Sequence, residues 1–341
     1  MSGVRLRADG TILLGDNISC DGFAYQCPVR VQTHIHHDHM VGFNTSKANQ
    51  TILMTHETRQ LLCAVLDADL PYRTNIVGMD FDAPYSINGE TLELVRSNHM
   101  LGSAQVKVTC ANGRRLGYSS DFFWPLDQVI EVDELIVDAT YGAPGSSRTY
   151  KQHTVDDKLI DLVWHRLKGG KQTALIGSNG RLHHALALLA HIPNCPVICS
   201  RHVYPLVRVY EQYGYPMPAV LAADSSEAIA VLKNRTPCLA FVTFQDRRHL
   251  SWVDRFSKIS LSAYMTGCDD PIMDYGNGDC RIAFTDHADF EGTLEYVAAT
   301  GASLVWTDPR SGDAEALALA ISQNLGIESH MPPRIESLAW G

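Results

Sequence analysis

Short apolar–polar alternations broken by two-residue turns run through the first third of the chain. Asp9-Gly10 separates Val4–Arg7 from Ile12–Leu14, Asn88-Gly89 precedes Leu92 and Leu94, and Asn112-Gly113 separates Val106–Cys110 from Leu116–Ser119. A period of two punctuated by such turns predicts antiparallel hairpins. Thr58, Leu61, Leu62 and Val65 fall at helical spacing and predict a helix over 57–66, with another over 154–167. From about Thr173 the pattern changes to short apolar runs, each followed by a helical stretch: 174–176 before 182–191, 197–199 before 204–213, and 239–243 before 251–256. The end of the chain repeats it, with 282–285 before a helix near 290–300 and 304–307 before one near 314–324. Strand–helix punctuation of this kind predicts an α/β protein with parallel strands. Gly276-Asn277-Gly278-Asp279 is the clearest loop, and it is taken as a boundary between lobes.

Composition narrows this picture. At 341 residues and 45% apolar content the chain can bury one large core or two. Met1-Ser2-Gly3-Val4-Arg5 has no apolar signal core, and no run approaches the ~20 apolar residues needed to cross a bilayer. The expectation is a cytoplasmic protein with no membrane partner. Nine cysteines without a Cys-x-x-Cys pair read as reduced structural thiols. A net charge of −10 means that any nucleic-acid contact must come from a local basic groove.

The chemistry concentrates in Thr33-His34-Ile35-His36-His37-Asp38-His39, which holds four metal-seeking side chains, His34, His36, Asp38 and His39. Neutral imidazole and carboxylate are the donors a borderline divalent ion such as zinc takes. From a short loop, alternate side chains diverge, so His34 and His36 reach one metal while Asp38 and His39 reach a second. The bland alternative is a polar turn rich in histidine. His99, Asp121 and His287 each follow a predicted strand, and strand ends gathered on one sheet edge make a rigid platform for a site. Gly102, three residues beyond His99, would let the backbone pass close to the metals.

These motifs occur in a telling order. His-x-His-x-Asp-His at 34–39, His99 ahead of Leu101-Gly102-Ser103, and Tyr118-Ser119-Ser120-Asp121-Phe122 together resemble the ligand motifs of the metallo-β-lactamase superfamily. Leu135-Ile136-Val137-Asp138-Ala139-Thr140-Tyr141-Gly142 resembles the acidic-x-Thr-Tyr-Gly signature of its β-CASP nuclease branch. Ser262-Ala263-Tyr264-Met265 and Thr285-Asp286-His287-Ala288-Asp289-Phe290 resemble that branch's later motifs. The likeness spans nearly the whole chain and is greatest to short members called ligase-associated or RNA-processing exonucleases.

The resemblance implies a metallo-β-lactamase αββα sandwich with an inserted α/β β-CASP cap. Residues 1–150 would form the first part of the sandwich, 151–275 the cap, and 276–341 the return. It implies that His34, His36 and His99 hold one zinc, that Asp38 and His39 hold a second, and that Asp121 bridges them, with manganese as the alternative metal. Two such ions neutralise phosphoryl charge and activate a water. Asp38, Asp138 and His287 would form the catalytic set, His287 as general acid supported by Asp138, while Asp21 would orient the histidine loop. The branch's RNA-active members place a histidine after the last strand. Here Leu304-Val305-Trp306-Thr307-Asp308-Pro309 offers Asp308 instead, either as an oxygen ligand or as the cap of the following helix. Arg181, at a predicted helix start after Gly180, and Arg247 and Arg248 are the residues expected to touch nucleic acid.

The implied activity is metal-dependent hydrolysis of RNA or single-stranded DNA, of the RNA-processing exonuclease type. A DNA repair exonuclease is one alternative, and a catalytically silent nucleic-acid-binding subunit is another. A small-molecule hydrolase is opposed by Asp138–Gly142, His287 and the long middle lobe. The resemblance also leaves room for a homodimer.

Overall fold

The computed structural model describes residues 3–66, 68–192, 195–262, 267, 269–310 and 312–331. They fall into two compact units, one made of the described residues up to Ser147 and from His287 onward, the other of Arg148–Asp286. Among the described residues the strands form three sheets.

Two sheets belong to the first unit. One runs in the order β1 (Val4–Leu6), β2 (Ile12–Leu14), β3 (Ile18–Cys20), β4 (Val29–Val31), β5 (Thr51–Thr55) and β6 (Ile76–Met79). Its β1–β3 are antiparallel, as the Asp9-Gly10 turn requires, but β3 through β6 are parallel. The antiparallel hairpins expected in the first third therefore account for β1–β3 of this sheet and not for β3–β6. Helices Phe43–Asn49 and His56–Val65 carry the chain back between β4, β5 and β6, and such crossovers make neighbours parallel. The second sheet lies in the order β20 (Glu328–His330), β19 (Leu304–Thr307), β11 (Glu134–Val137), β10 (Arg115–Tyr118), β9 (Ala104–Thr109), β8 (Glu90–Arg96) and β7 (Tyr85–Ile87).

Apolar side chains account for this arrangement. Ile12, Leu14, Val29, Val31 and Leu53 of the first sheet share a buried cluster with Leu92, Leu94, Val106, Val108 and Leu116 of the second. On the first sheet's other side, Ile52, Met54 and Ile76 pack with Phe43 and Leu62 of its helices. On the second sheet's other side, Leu135, Val137 and Val305 pack with helices Phe290–Thr300 and Ala314–Leu325 through Leu294, Val297, Leu317 and Ile321. Strands with both faces covered show continuous burial, as β4 and β11 do.

The second unit is built on one sheet, β14 (Leu221–Ala222), β13 (Val197–Cys199), β15 (Leu239–Thr243), β12 (Thr173–Gly177), β16 (Ser257–Leu261), β18 (Cys280–Ile282) and β17 (Ile272–Asp274). All neighbours are parallel except β17 and β18. The Gly276–Asp279 turn joins those two antiparallel strands, and β18 pairs with β16 through Leu261↔Ile282. That turn lies inside the second unit, so the chain returns to the first unit at His287 rather than at 276. The helix expected over 251–256 is a 3-10 turn, Ser251–Arg255, and the one expected over 182–191 spans Arg181–Leu188. Ala263, Tyr264 and Met265 of the expected late motif lie outside the described residues. The described cysteines are free thiols, mostly buried. No described helix is long and apolar enough to cross a membrane.

His183 shows how this unit should respond to acid. Its Nδ1 accepts from the Gly180 N–H at 3.3 Å, and Nε2 donates to the Val203 carbonyl at 3.1 Å, so the ring is held neutral. Burial pushes its pKa down to about 4 from the ordinary 6.5. Between those values the unfolded chain binds a proton that the folded chain does not, so stability falls as pH drops from 6.5 towards 4, by up to about 1.4 kcal/mol per pH unit. His183→Gln should flatten the fall of Tm over that range, and an unchanged slope would refute this account.

Candidate metal centre

Strand ends of the first unit deliver the candidate ligands to one place. His34 and His36 follow β4, His99 follows β8, and Asp121 follows β10. Asn98 and Ser120, on the connections after β8 and β10, have φ of 57° and 53°, and Asp21, just after β3, has φ of 52°. Left-handed backbone at a residue other than glycine costs about 1–2 kcal/mol. Here it turns the chain sharply just before His99 and Asp121.

His34, His36, His99 and Asp121 each offer one donor atom within 4.8 Å of the others. His99 Nε2 meets His36 Nδ1 at 3.0 Å, and Asp121 Oδ2 lies 3.6 Å from both His34 Nε2 and His99 Nε2. Donors ~2.0–2.1 Å from a tetrahedral zinc lie about 3.3–3.4 Å apart, so these spacings suit one ion. The network around His34 supports the same conclusion. Thr33 Oγ1 donates its only hydrogen to Asp21 Oδ2 (2.7 Å), so at 3.1 Å it can only accept from the His34 Nδ1–H. His34 Nε2 is left as a buried lone pair with no hydrogen-bond partner among the described residues. Burial, and then the neighbouring His39, hold the His34 pKa well below its ordinary value, so the ring is neutral and ready to ligate. These buried His and Asp groups could hold a metal ion.

His39 is set up as a further donor. Its Nδ1 pairs with Asp21 Oδ2 at 2.7 Å, while Nε2 lies 3.3 Å from Asp121 Oδ1 and 3.6 Å from Asp38 Oδ2. A carboxylate behind a histidine fixes the tautomer and directs the opposite nitrogen at an ion. Asp38 is the exposed member, its side chain 66% accessible on the 3-10 turn His37–His39. His287 closes the group: Nδ1 is 2.9 Å from Asp138 Oδ2, and Nε2 is 3.9 Å from Asp121 Oδ2. Asp138 is itself held by Thr140, whose backbone N–H and hydroxyl both donate to Oδ1.

Other expected residues are engaged differently. Asp308 takes Nε and Nη2 of Arg310 on its two oxygens and the Arg310 N–H on Oδ1, and it is not among the described groups that converge for a metal. It does not cap the next helix either, because Asp313 accepts from the Ala316 N–H at its start. Arg181 is paired with Asp286 at 2.9 Å. Arg247 and Arg248 are exposed at the end of the one-turn helix Phe244–Arg247. Gly102 serves a different contact from the expected one, since a Cβ there would lie 2.6 Å from Thr58 N and its carbonyl accepts from the Thr55 and Thr58 hydroxyls. Its close approach is to the start of helix His56–Val65.

Three supporting residues escape sequence reasoning. Arg30, fully buried in β4 with its pKa pushed down to about 10 by burial, donates to the carbonyls of His39 and Val41 and to Gln32 Oε1. Tyr118 donates to Asp21 Oδ2 at 3.2 Å and accepts from Arg310. The one available signal for Arg310 is its spacing from Asp308, an aspartate followed two residues later by a bonded N–H, which is a turn pattern.

The fold and site define a mixed α/β protein with a buried group of histidines and aspartates able to hold metal. No family model matches the chain. It is 37% identical over 93 residues to an uncharacterized protein in the lig 3′ region of Acidianus ambivalens, covering 25% of this chain and 66% of that one. It is 27% identical over 162 residues to the DNA cross-link repair protein SNM1 of Arabidopsis thaliana, covering 44% of this chain and 32% of that protein. The chain thus spans about two thirds and one third of these relatives. A crystal structure of a protein of unknown function from Enterococcus faecalis V583 superposes with a TM-score of 0.64 at 14% identity, covering 90% of this chain and 79% of that one. That likeness speaks to the fold alone.

Proposed function

We propose that the protein is a metal-dependent nuclease that hydrolyses phosphodiester bonds of RNA or single-stranded DNA from an end. In this reading the first unit is a metallo-β-lactamase sandwich and the second an inserted β-CASP cap. The observation that carries the proposal is the convergence of His34, His36, His99 and Asp121 beside a histidine, His287, backed by the Asp138 carboxylate. The similarity to a DNA cross-link repair protein supports it independently.

His34, His36, His99 and Asp121 would hold one divalent ion, zinc by donor type, or manganese. Asp308 is taken up by Arg310, and a second ion would fall to Asp38, His39 and Asp121. A bound ion supplies charge neutralisation for the phosphoryl oxygens and makes water acidic enough to attack at neutral pH. The chain's own residues do the rest. Asp21, Arg30 and Gln32 brace the loop, Gln32 Nε2 donating to the carbonyls of His34 and His39. His287 Nε2 delivers the proton that the departing sugar oxygen needs once its bond to phosphorus breaks, while Asp138 keeps Nδ1 protonated and the ring aimed. Exposed Arg247 and Arg248 suit phosphate contact along a strand. Arg181 acts there only if phosphate displaces Asp286 from its guanidinium. A cytoplasmic homodimer completes the proposal.

The test uses end-labelled single-stranded RNA and DNA of one sequence, incubated with protein stripped by chelator, then reloaded with zinc or manganese. A ladder shortening from one end is expected from the reloaded protein and not from the stripped one or from a D38A/H39A variant. Equal degradation by the wild type and the variant, or by neither, would sink the catalytic proposal.

A further inference from the structure

A second candidate site lies in the second unit, at the carboxyl edge of its parallel strands. The chain leaves β13 for β14 on one side and leaves neighbouring β15 for β16 on the other. Connections diverging from adjacent parallel strands open a crevice beyond their carboxyl ends, where α/β sheets bind ligands. A cavity of about 500 Å³ sits there, lined by residues that follow three different strands: Arg201 and Tyr204 after β13, Asp224 after β14, Asp246 and His249 after β15. That volume is in the range of small-molecule sites.

The lining has a definite chemistry. Asp246 is buried and satisfied, receiving the His202 N–H (3.2 Å), His202 Nδ1 (2.6 Å) and Arg201 Nε (3.3 Å). It grips Arg201 by one edge. The two terminal guanidinium nitrogens have no partner among the described residues, and the side chain is 72% exposed. Those two nitrogens are placed to take a phosphate as a fork. Tyr204 contributes an aromatic ring, 36% exposed and unstacked among the described residues. Asp224 adds an exposed carboxylate, an acceptor for hydroxyls, and His249 another ring nitrogen in the lining.

We infer that this cavity binds a nucleoside monophosphate, with the phosphate on Arg201 and His249, the base against Tyr204 and the ribose hydroxyls on Asp224. The test is calorimetric titration of the full-length, chelator-treated protein with AMP, adenosine and inorganic phosphate in turn. AMP should bind at least tenfold more tightly than either fragment. Arg201→Gln should lower AMP affinity about tenfold and leave adenosine unchanged, Tyr204→Ala should weaken AMP and adenosine together, and Asp121→Ala at the metal centre should leave AMP binding intact. Failure of AMP to bind, affinity unmoved by both cavity variants, or binding lost in Asp121→Ala would each overturn the inference.

Discussion

Replacing Asp121 with alanine is expected to abolish metal retention and nuclease activity together, with metal affinity down at least ~100-fold and cleavage below detection. Changing even an outer partner of a metal ligand typically costs 10–100-fold, and Asp121 has a larger stake. Its Oδ2 lies 3.6 Å from His34 and His99, and its Oδ1 lies 3.3 Å from His39. Burial would raise its carboxyl, but His39 and then His287 more than offset this and hold it well below the usual carboxylate range. It is therefore the negative charge on which the imidazoles converge. Elemental analysis of purified wild type and variant, alongside the end-labelled assay, checks the prediction. A variant that retains its metal would remove Asp121 from the centre. A Tm measured in chelator separates ligand loss from simple unfolding.

His287→Ala should behave differently, lowering the rate by about 10²–10⁴-fold while metal content stays at the wild-type level. The distinction follows from geometry. His287 Nδ1 is committed to Asp138, and the residue is not one of the four donors His34, His36, His99 and Asp121, although it also converges with Asp121 and Asp138. Asp138→Asn should give a smaller loss of the same kind, since the ring remains but loses its charged support. Loss of metal from His287→Ala would recast the residue as a ligand, and a rate within threefold of wild type would end its role as acid.

Much of the candidate metal centre was legible in the sequence, because ligation tolerates few residue types. A lone pair on nitrogen or oxygen is required, so His34, His36, His39, His99 and Asp121 advertise themselves by identity and by their place after apolar runs. The residues that hold them in place do not. Arg30 sits in an apolar strand, and its identity alone does not say that its guanidinium folds over the carbonyls of His39 and Val41. Asp308 illustrates the converse. Its residue type and position suited both a ligand and a cap, yet Arg310 occupies its carboxylate and Asp313 caps the helix. Gly102 likewise needed a close approach, but to Thr55 and Thr58 rather than to a metal.

Local pattern was enough for the alternation of strand and helix and for the hairpin at Asp9-Gly10, because backbone preference and side-chain periodicity are properties of neighbouring residues. It was also enough to single out the donor types, since an imidazole or carboxylate carries its chemistry wherever it lies. Strand partners, and with them the parallel run from β3 to β6 and the return of the chain at His287, were decided by tertiary packing. So was the commitment of each buried polar group. An arginine or aspartate removed from water must take whichever partner the fold brings within about 3 Å, and that partner can come from anywhere in the chain.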